Sequence, residues 1–431
     1  MTVPVAPIGA HQMLVFLLQL GLLLGAALVL GRLAARLGMP AVVGELTAGV
    51  LLGPSLLGHA APALSGWLLP QDPGQLHLLD AVGQLGVLLL VGLAGAYIDL
   101  GLIGRKGATA AWVGAGALLV PLGLGVAAGF LLPAVLAGDG ANRTVFALFL
   151  GVAMCVSAIP VIAKVLLEMR LLHRDIGQLV ISAAALDDIA GWLLLSVVSA
   201  LAVSGLHAGD VARPVGYLAA IVVFAALVGR PVVRRALRLA GRSSDPGVTV
   251  ATIVVLLLLA AAGTHALGME PILGTFLCGI LIGSSGELDR SRLAPLRTFV
   301  MAVLAPIFFA TAGLRMDLTA LRDPAVLASA LAVLVIAIGG KFAGAYLGAR
   351  AGRLGHWDGL ALGAGLNARG IIEVVVAMVG LRLGVLSTAT YTIVVLVAVV
   401  TSLMAPPTLR YAVRRIAVTH EEIEREKVFS H

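Results

Sequence analysis

The chain has 431 residues, of which 60% are hydrophobic and 12% charged, and its mean hydropathy is +1.06. Soluble domains carry about 25% charged residues, so the composition excludes a soluble globular domain and implies a polytopic membrane protein. The formal net charge of +7 is accounted for by basic loops and calls for no nucleic-acid partner.

Thirteen apolar spans are predicted, at roughly 13–31, 41–57, 78–98, 108–136, 144–168, 176–204, 215–232, 247–264, 271–284, 296–314, 324–349, 357–381 and 386–409. They form one membrane domain over residues 1–410, followed by a short charged tail over 411–431. The first apolar run has no basic segment before it, so no cleavable signal peptide is expected. Of the 29 lysines and arginines, 21 fall in one set of loops, with a dense group at Arg230, Arg234, Arg235, Arg238 and Arg242 that reads as a loop. Five fall in the opposite set, and Lys164, Lys341 and Arg369 fall inside spans. Basic loops stay in the cytoplasm. The N-terminus is therefore expected outside the cell membrane and the C-terminus in the cytoplasm.

The chain repeats itself. Gly38, Gly44, Gly49 and Gly53 in G-M-P-A-V-V-G-E-L-T-A-G-V-L-L-G match Gly268, Gly274, Gly279 and Gly283 in G-M-E-P-I-L-G-T-F-L-C-G-I-L-I-G, at an offset of 230. Gly95, Asp99 and Leu100 match Gly313, Asp317 and Leu318 at an offset of 218. The second span thus maps onto the ninth and the third onto the tenth. A shift of seven spans inverts the orientation, which is the pattern of inverted repeats in secondary transporters.

Such repeats place discontinuous helices at corresponding positions. The fifth span holds C-V-S-A-I-P-V-I-A-K, where Pro160 frees carbonyls and disfavours helix before it; a simple proline kink is the alternative. Its counterpart, the twelfth span, holds G-A-G-L-N-A-R-G-I-I-E, in which Gly363, Gly365, Asn367 and Gly370 are poor helix formers. Irregular backbone at membrane depth must line a cavity or be buried in protein. Freed carbonyls and the Ser157 hydroxyl would offer oxygen ligands there.

The sixth span carries Asp187 and Asp188 in S-A-A-A-L-D-D-I-A-G-W. One charge at the bilayer centre costs about 2.5–3.5 kcal/mol on insertion scales, and adjacent carboxylates repel. This pair is the candidate proton- and cation-binding site. A satisfied structural pair, or a helix end at the membrane surface, is the competing reading. Lys341 of the eleventh span is the best partner for one of the aspartates, with snorkelling to the interface as its alternative. Arg369 and Glu373, four apart, share a helix face if the helix continues, as a structural ion pair or as part of the transport site. Lys164 reads as snorkelling. The two cysteines, Cys155 and Cys278, set up no disulfide or metal spacing. No G-x-x-x-x-G-K-[ST] is present, so nucleotide-driven pumping is not indicated and no cofactor is expected.

The stretch G-E-L-T-A-G-V-L-L-G-P-S-L-L-G (44–58) resembles the signature of the monovalent cation:proton antiporter-2 family. S-A-I-P-V-I-A-K-V-L-L-E (157–168) and N-A-R-G-I-I-E-V-V-V (367–376) resemble its plant and fungal cation/proton exchanger branch. The Asp pair in L-D-D-I-A looks instead like the NhaA and NapA type of sodium/proton antiporter, since the exchanger branch usually has Asn-Asp. The resemblance implies an all-α antiporter fold of about thirteen spans, with two discontinuous crossing helices, working as a homodimer by an elevator-like movement. It implies a dimerisation part built from spans in 13–98 and 247–314, and a transporting core from spans in 108–204 and 324–409. By the same resemblance Asp188 binds the cation, and Asp187 pairs with Lys341 when no cation is bound.

The functional expectation is exchange of Na+ or K+ for protons, by competition for Asp187 and Asp188 with Ser157 beside them. The rival classes are a passive ion channel and a proton-coupled exporter of an organic cation or small metabolite. Aromatic residues are only 5% of the chain, and organic cations favour aromatic surfaces.

Overall fold

The computed structural model describes residues 8–69, 73–96, 100–158, 161–162, 165–166, 169, 171, 174–204, 208–243, 245–286, 290–419 and 422. Asp99, Pro160 and Lys164 lie outside the described residues. The longer helices are α1 (Ala10–Arg36), α2 (Ala41–Leu52), α3 (Pro73–Ala96), α4 (Leu100–Leu131), α5 (Arg143–Cys155), α6 (Asp175–Ser204), α7 (Ala208–Phe224), α8 (Arg230–Ala240) and α9 (Pro246–Ala266). They continue with α10 (Pro271–Gly283), α11 (Arg290–Phe299), α12 (Ala305–Leu314), α13 (Pro324–Ala351), α14 (His356–Leu366), α15 (Ile371–Arg382) and α16 (Thr388–Val413). The chain divides into two compact units, Met1–Leu90 with Pro295–Thr319, and Val91–Ala294 with Ala320–His431.

Ten helices among the described residues are long and apolar enough to cross a membrane. The expected fifth, ninth and twelfth spans are built from shorter pieces: α5, α10, and α14 with α15. Several starts follow local rules. Asp245 accepts from Gly247 N–H ahead of α9, and Asp323 from Ala325 N–H ahead of α13, each with proline in the first turn; both devices satisfy or remove donors that a helix start leaves orphaned. One expectation fails. The Arg230–Arg242 stretch, read as a loop, is helical as α8 and continues α7 through a π-helical turn over Ala225–Gly229. Val233, Leu237 and Ala240 bury one stripe of it, so the arginines occupy the remaining faces of an amphipathic helix.

The repeat extends beyond its glycine motif. The buried stripe of α1 includes Gln19, Leu23, Ala27, Gly31 and Ala34, and that of α9 is Thr249, Ile253, Leu257, Ala261 and Thr264, position for position at the same offset of 230. A Cβ on Gly44 would lie 2.1 Å from the Leu30 carbonyl oxygen, and one on Gly274 would lie 2.1 Å from that of Ala260. Likewise Gly49 abuts the Ala310 carbonyl within one unit, and Gly279 abuts that of Gly92 within the other. The glycines are where helix backbones touch. Lipid tails give no hydrophobic drive to helix association, so such close van der Waals approach stabilises the bundle.

Within the larger unit, small residues make the same kind of seam. Gly116 of α4 and Gly344 of α13 face one another so closely that a Cβ on either would strike the other's carbonyl. Ala117, Ala183, Ala345, Ala361 and Ala364 belong to one buried cluster beside that seam. This tight frame brings α4, α6, α13 and α14 around the charged residues.

Candidate functional site

α5 stops at Cys155, and Val156 turns extended with φ −75° and ψ 153°. Helical backbone returns at 161–162. α14 stops at Leu366, and α15 begins only at Ile371. The two interruptions meet: Ala158 N–H donates to the Ala368 carbonyl at 3.1 Å. The break at the Asn367–Gly370 stretch therefore lies against the break after Cys155, where the repeat requires both. Pro160, expected to cause the first, lies outside the described residues.

A helix C-terminus leaves carbonyls without partners and carries partial negative charge. At the end of α5 two buried cations take them. Arg369 donates from Nη1 to Ala153 O at 3.0 Å and from Nη2 to Met154 O at 2.7 Å, and it also reaches Ala337 O at 3.1 Å. Lys341 donates to Cys155 O. Neither side chain has any exposed surface. These carbonyls, expected as possible cation ligands, are engaged by side-chain cations.

Lys341 Nζ completes its set with Ala117 O at 3.1 Å and Asp187 Oδ2 at 2.7 Å. An ammonium has three protons, and here three acceptors receive them. Ser157 Oγ lies 2.8 Å from Asp187 Oδ2 and 2.8 Å from Leu366 O. A hydroxyl has one proton to donate, so Ser157 can serve one of these acceptors at a time. Asp187 Oδ1 has no hydrogen-bond partner among the described residues. Asp188 is also buried, at 3% exposure, and as the next residue of α6 it points about 100° away around the helix.

Arg369 Nη1 also meets Glu373 Oε1 at 2.8 Å, while Glu373 Oε2 accepts from Gly370 N–H at 2.9 Å. Ser402 of α16 donates to the Arg369 carbonyl. Asn367 ends α14 with its amide fully buried, and neither its nitrogen nor its oxygen has a partner among the described residues. An unmade buried hydrogen bond costs about 1–3 kcal/mol.

All the candidate residues placed by the structure thus gather at one crossing: Ser157, Asp187, Asp188, Lys341, Asn367, Arg369, Gly370 and Glu373. A family model described as "Sodium/hydrogen exchanger, transmembrane" matches residues 23–415. The chain belongs to that family. The exchanger is 32% identical over 402 residues to the Na(+)/H(+) antiporter NhaS4 of Synechocystis, covering 92% of this chain and 97% of that one. It is 30% identical to Cation/H(+) antiporter 20 of Arabidopsis thaliana, covering 95% of this chain and 49% of that protein. It is 28% identical to K(+)/H(+) antiporter 1 of Saccharomyces cerevisiae, covering 85% of this chain and 43% of that protein. The chain therefore spans about half the length of its plant and yeast relatives. Its fold matches the sodium proton antiporter MjNhaP1 from Methanocaldococcus jannaschii with a TM-score of 0.72 at 16% identity, covering 94% and 99% of the two chains. This exchanger is an all-α, multi-pass membrane protein with that antiporter fold.

Sequence reasoning missed Ser402, the carbonyl partners of the two cations, and ion pairs away from the crossing, two of them in the same unit as the site. Arg382 Nη2 meets Glu270 Oε2 at 2.9 Å and Oε1 at 3.1 Å. Arg174 Nε meets Glu422 Oε2 at 3.1 Å. The first had a signal. Glu270 is a charge where the matching position of the repeat, Pro40, has none.

Proposed function

We propose that the protein is a secondary transporter that exchanges a monovalent cation, Na+ or K+, for protons across a cell membrane. One observation supports this most: a buried Asp187–Lys341 pair, shared with Ser157, sits where two interrupted helices cross. In this low-dielectric setting a lone carboxylate is costly. A cation arriving at the aspartates supplies the charge that Lys341 supplies in its absence, and a proton removes the need for either. Cation and proton therefore compete for one site, Asp187 and Asp188, with Ser157 Oγ as a neutral oxygen beside them. The named activities of the Synechocystis and yeast relatives accord with this reading.

On the same reading the spans in 108–204 and 324–409 move as a core against those in 13–98 and 247–314, which hold a homodimer together. The N-terminus faces outward and the C-terminus the cytoplasm. Glu270 and Arg382 then join the fixed part to the moving part on the outer side, and each cycle must open that pair.

The test is purified protein in proteoliposomes with a pH-sensitive dye inside. A pH gradient is imposed, and Na+, K+, Li+ or choline is added in turn. A dye response to Na+ or K+ is expected, with at least a hundredfold loss in Asp188→Asn. Robust exchange by Asp188→Asn would sink the site assignment. Conductance without proton counterflow would favour a channel, and silence with every inorganic cation would favour an organic cargo.

A further inference from the structure

Asn367 does none of the work that an asparagine at a helix end usually does. Its backbone has φ −77° and ψ −7°, so it was not selected for the left-handed turn that asparagine tolerates. Its side chain caps no carbonyl and has no partner among the described residues. It is fully buried, beside the apolar cluster that includes Leu366 and Ala368. For packing alone, an apolar residue would serve better.

Its backbone, in contrast, is pinned on every side. Asn367 N–H donates to Gly363 O at 3.0 Å, Ala368 N–H to Gly365 O at 3.2 Å, and Ala368 O accepts from Ala158 N–H at 3.1 Å. The Leu366 carbonyl is one of the two acceptors of Ser157 Oγ, and Asp187 is the other. The amide is thus mounted on a rigid frame, one residue from the Leu366 carbonyl that competes with Asp187 for the Ser157 hydroxyl. Buried polar groups are paired as a rule, so one held in place without a partner calls for an explanation, and a bound ion is one.

We propose that the Asn367 carboxamide is a ligand of the transported cation and sets its selectivity. This deepens the exchange reading and rests on it. The carboxamide oxygen is a hard, neutral donor suited to a partly dehydrated alkali cation, and its NH2 group orients a neighbouring carboxylate or cation-borne water. Because the amide does not titrate, it acts on the cation and is blind to the proton. Asp187 and Asp188 serve both ions; Asn367 serves one.

The experiment compares Asn367→Ala and Asn367→Leu with the unaltered protein and with Asp188→Asn, all in proteoliposomes. The half-saturating concentrations of Na+, K+ and Li+ are measured along with the maximal rate and its pH dependence at saturating cation. Thermal melting is followed in choline and in each cation. Expected are a rise of about tenfold or more in the half-saturating concentration, equivalent to about 1.4 kcal/mol, and an altered order among the three cations. The pH profile at saturation stays in place. In choline the variants melt no lower than the unaltered protein, and their cation-induced rise in melting temperature shrinks. Unchanged cation affinities and order in both variants would overturn the inference, as would a fall in melting temperature and maximal rate with affinities intact. If Asp188→Asn still exchanges, the underlying site reading fails. If Asp188→Asn is dead and both Asn367 variants match the unaltered protein, only the role of Asn367 fails.

Discussion

Arg369 with Glu373 and Lys341 with Asp187 are both wholly buried, and both lean on the broken end of α5, but their hydrogen bonding differs. Arg369 places four N–H groups on four acceptors, and each Glu373 oxygen has its own donor. In the other pair both donors, Lys341 and Ser157, fall on Asp187 Oδ2, and Oδ1 is left without a partner among the described residues. The Arg369–Glu373 pair, which leaves only Arg369 Nε without a partner among the described residues, has little to gain by opening. A half-satisfied one is poised for a third party. The contrast separates a structural clamp from an exchangeable site, although residue types and burial are nearly the same.

The largest expected effect follows from the clamp. Arg369→Ala leaves Glu373 charged and buried and returns the Ala153 and Met154 carbonyls at the end of α5 to no partner. Breaking a buried pair from one side costs about 3–5 kcal/mol, so this variant should lose most of its melting stability in detergent. Replacing both partners by apolar residues of similar volume, Arg369→Met with Glu373→Leu, is expected to regain much of that loss, because no lone charge remains. Exchange should survive in the double variant in proportion to the folded fraction. A double variant that melts normally but does not exchange would move this pair into the transport machinery and erase the contrast.

Lys341→Met tests the other side. Asp187 keeps Ser157 and can become neutral by taking up a proton, so the loss should be smaller, about 2 kcal/mol from the unmade hydrogen bonds. The added stability that the cation gives to folded protein should change too, since Lys341 no longer competes with the cation for Asp187. Melting curves in choline and in Na+ or K+ read both quantities. A loss as large as that of Arg369→Ala, with no change in the cation response, would make both pairs structural.

Much of this site can be read in the sequence, because charges and glycines inside apolar spans stand out against lipid. The Asp pair, Lys341, the two helix breaks and the glycine repeat all carry that signal. The 230-residue offset even fixes which backbones touch, since Gly44 and Gly274 meet carbonyls 230 residues apart. Other features depend on helix rotation and long-range placement. Adjacent aspartates look alike by residue type; the family resemblance pairs Asp187 with Lys341, and the rotation of α6 is what brings the two together. That Arg369 closes carbonyls at Ala153 and Met154 has no local signal, because those groups are backbone and more than two hundred positions away. The basic stretch after α7 reads as a loop in the sequence because its charge outweighs the spacing of Val233, Leu237 and Ala240.

The smallest expected effect sharpens the contrast from outside the membrane, where water is available. Glu422 accepts from Asp175 N–H at 2.7 Å and Thr419 N–H at 2.9 Å, and it pairs with Arg174, the residue just before α6. Burial by itself would raise the Glu422 carboxyl, but the Thr419 and Asp175 amides and the Arg174 guanidinium outweigh it and hold it below its usual value of 4.5. A depressed folded value means the unfolded chain takes up the proton first as pH falls. The stability from this group is therefore complete above about pH 4.5 and is lost only as pH falls through the lower folded value. Glu422→Gln should lower stability by about 1 kcal/mol, by the same amount from pH 6 to 9, and the gap to the unaltered protein should close in acid below 4.5. Its exchange-versus-pH curve over the higher range should overlay that of the unaltered protein, because the clasp does not titrate there. A displaced curve would show that an ion pair at the foot of α6 reaches Asp187 and Asp188, and the division between holding and exchanging pairs would then have to include it.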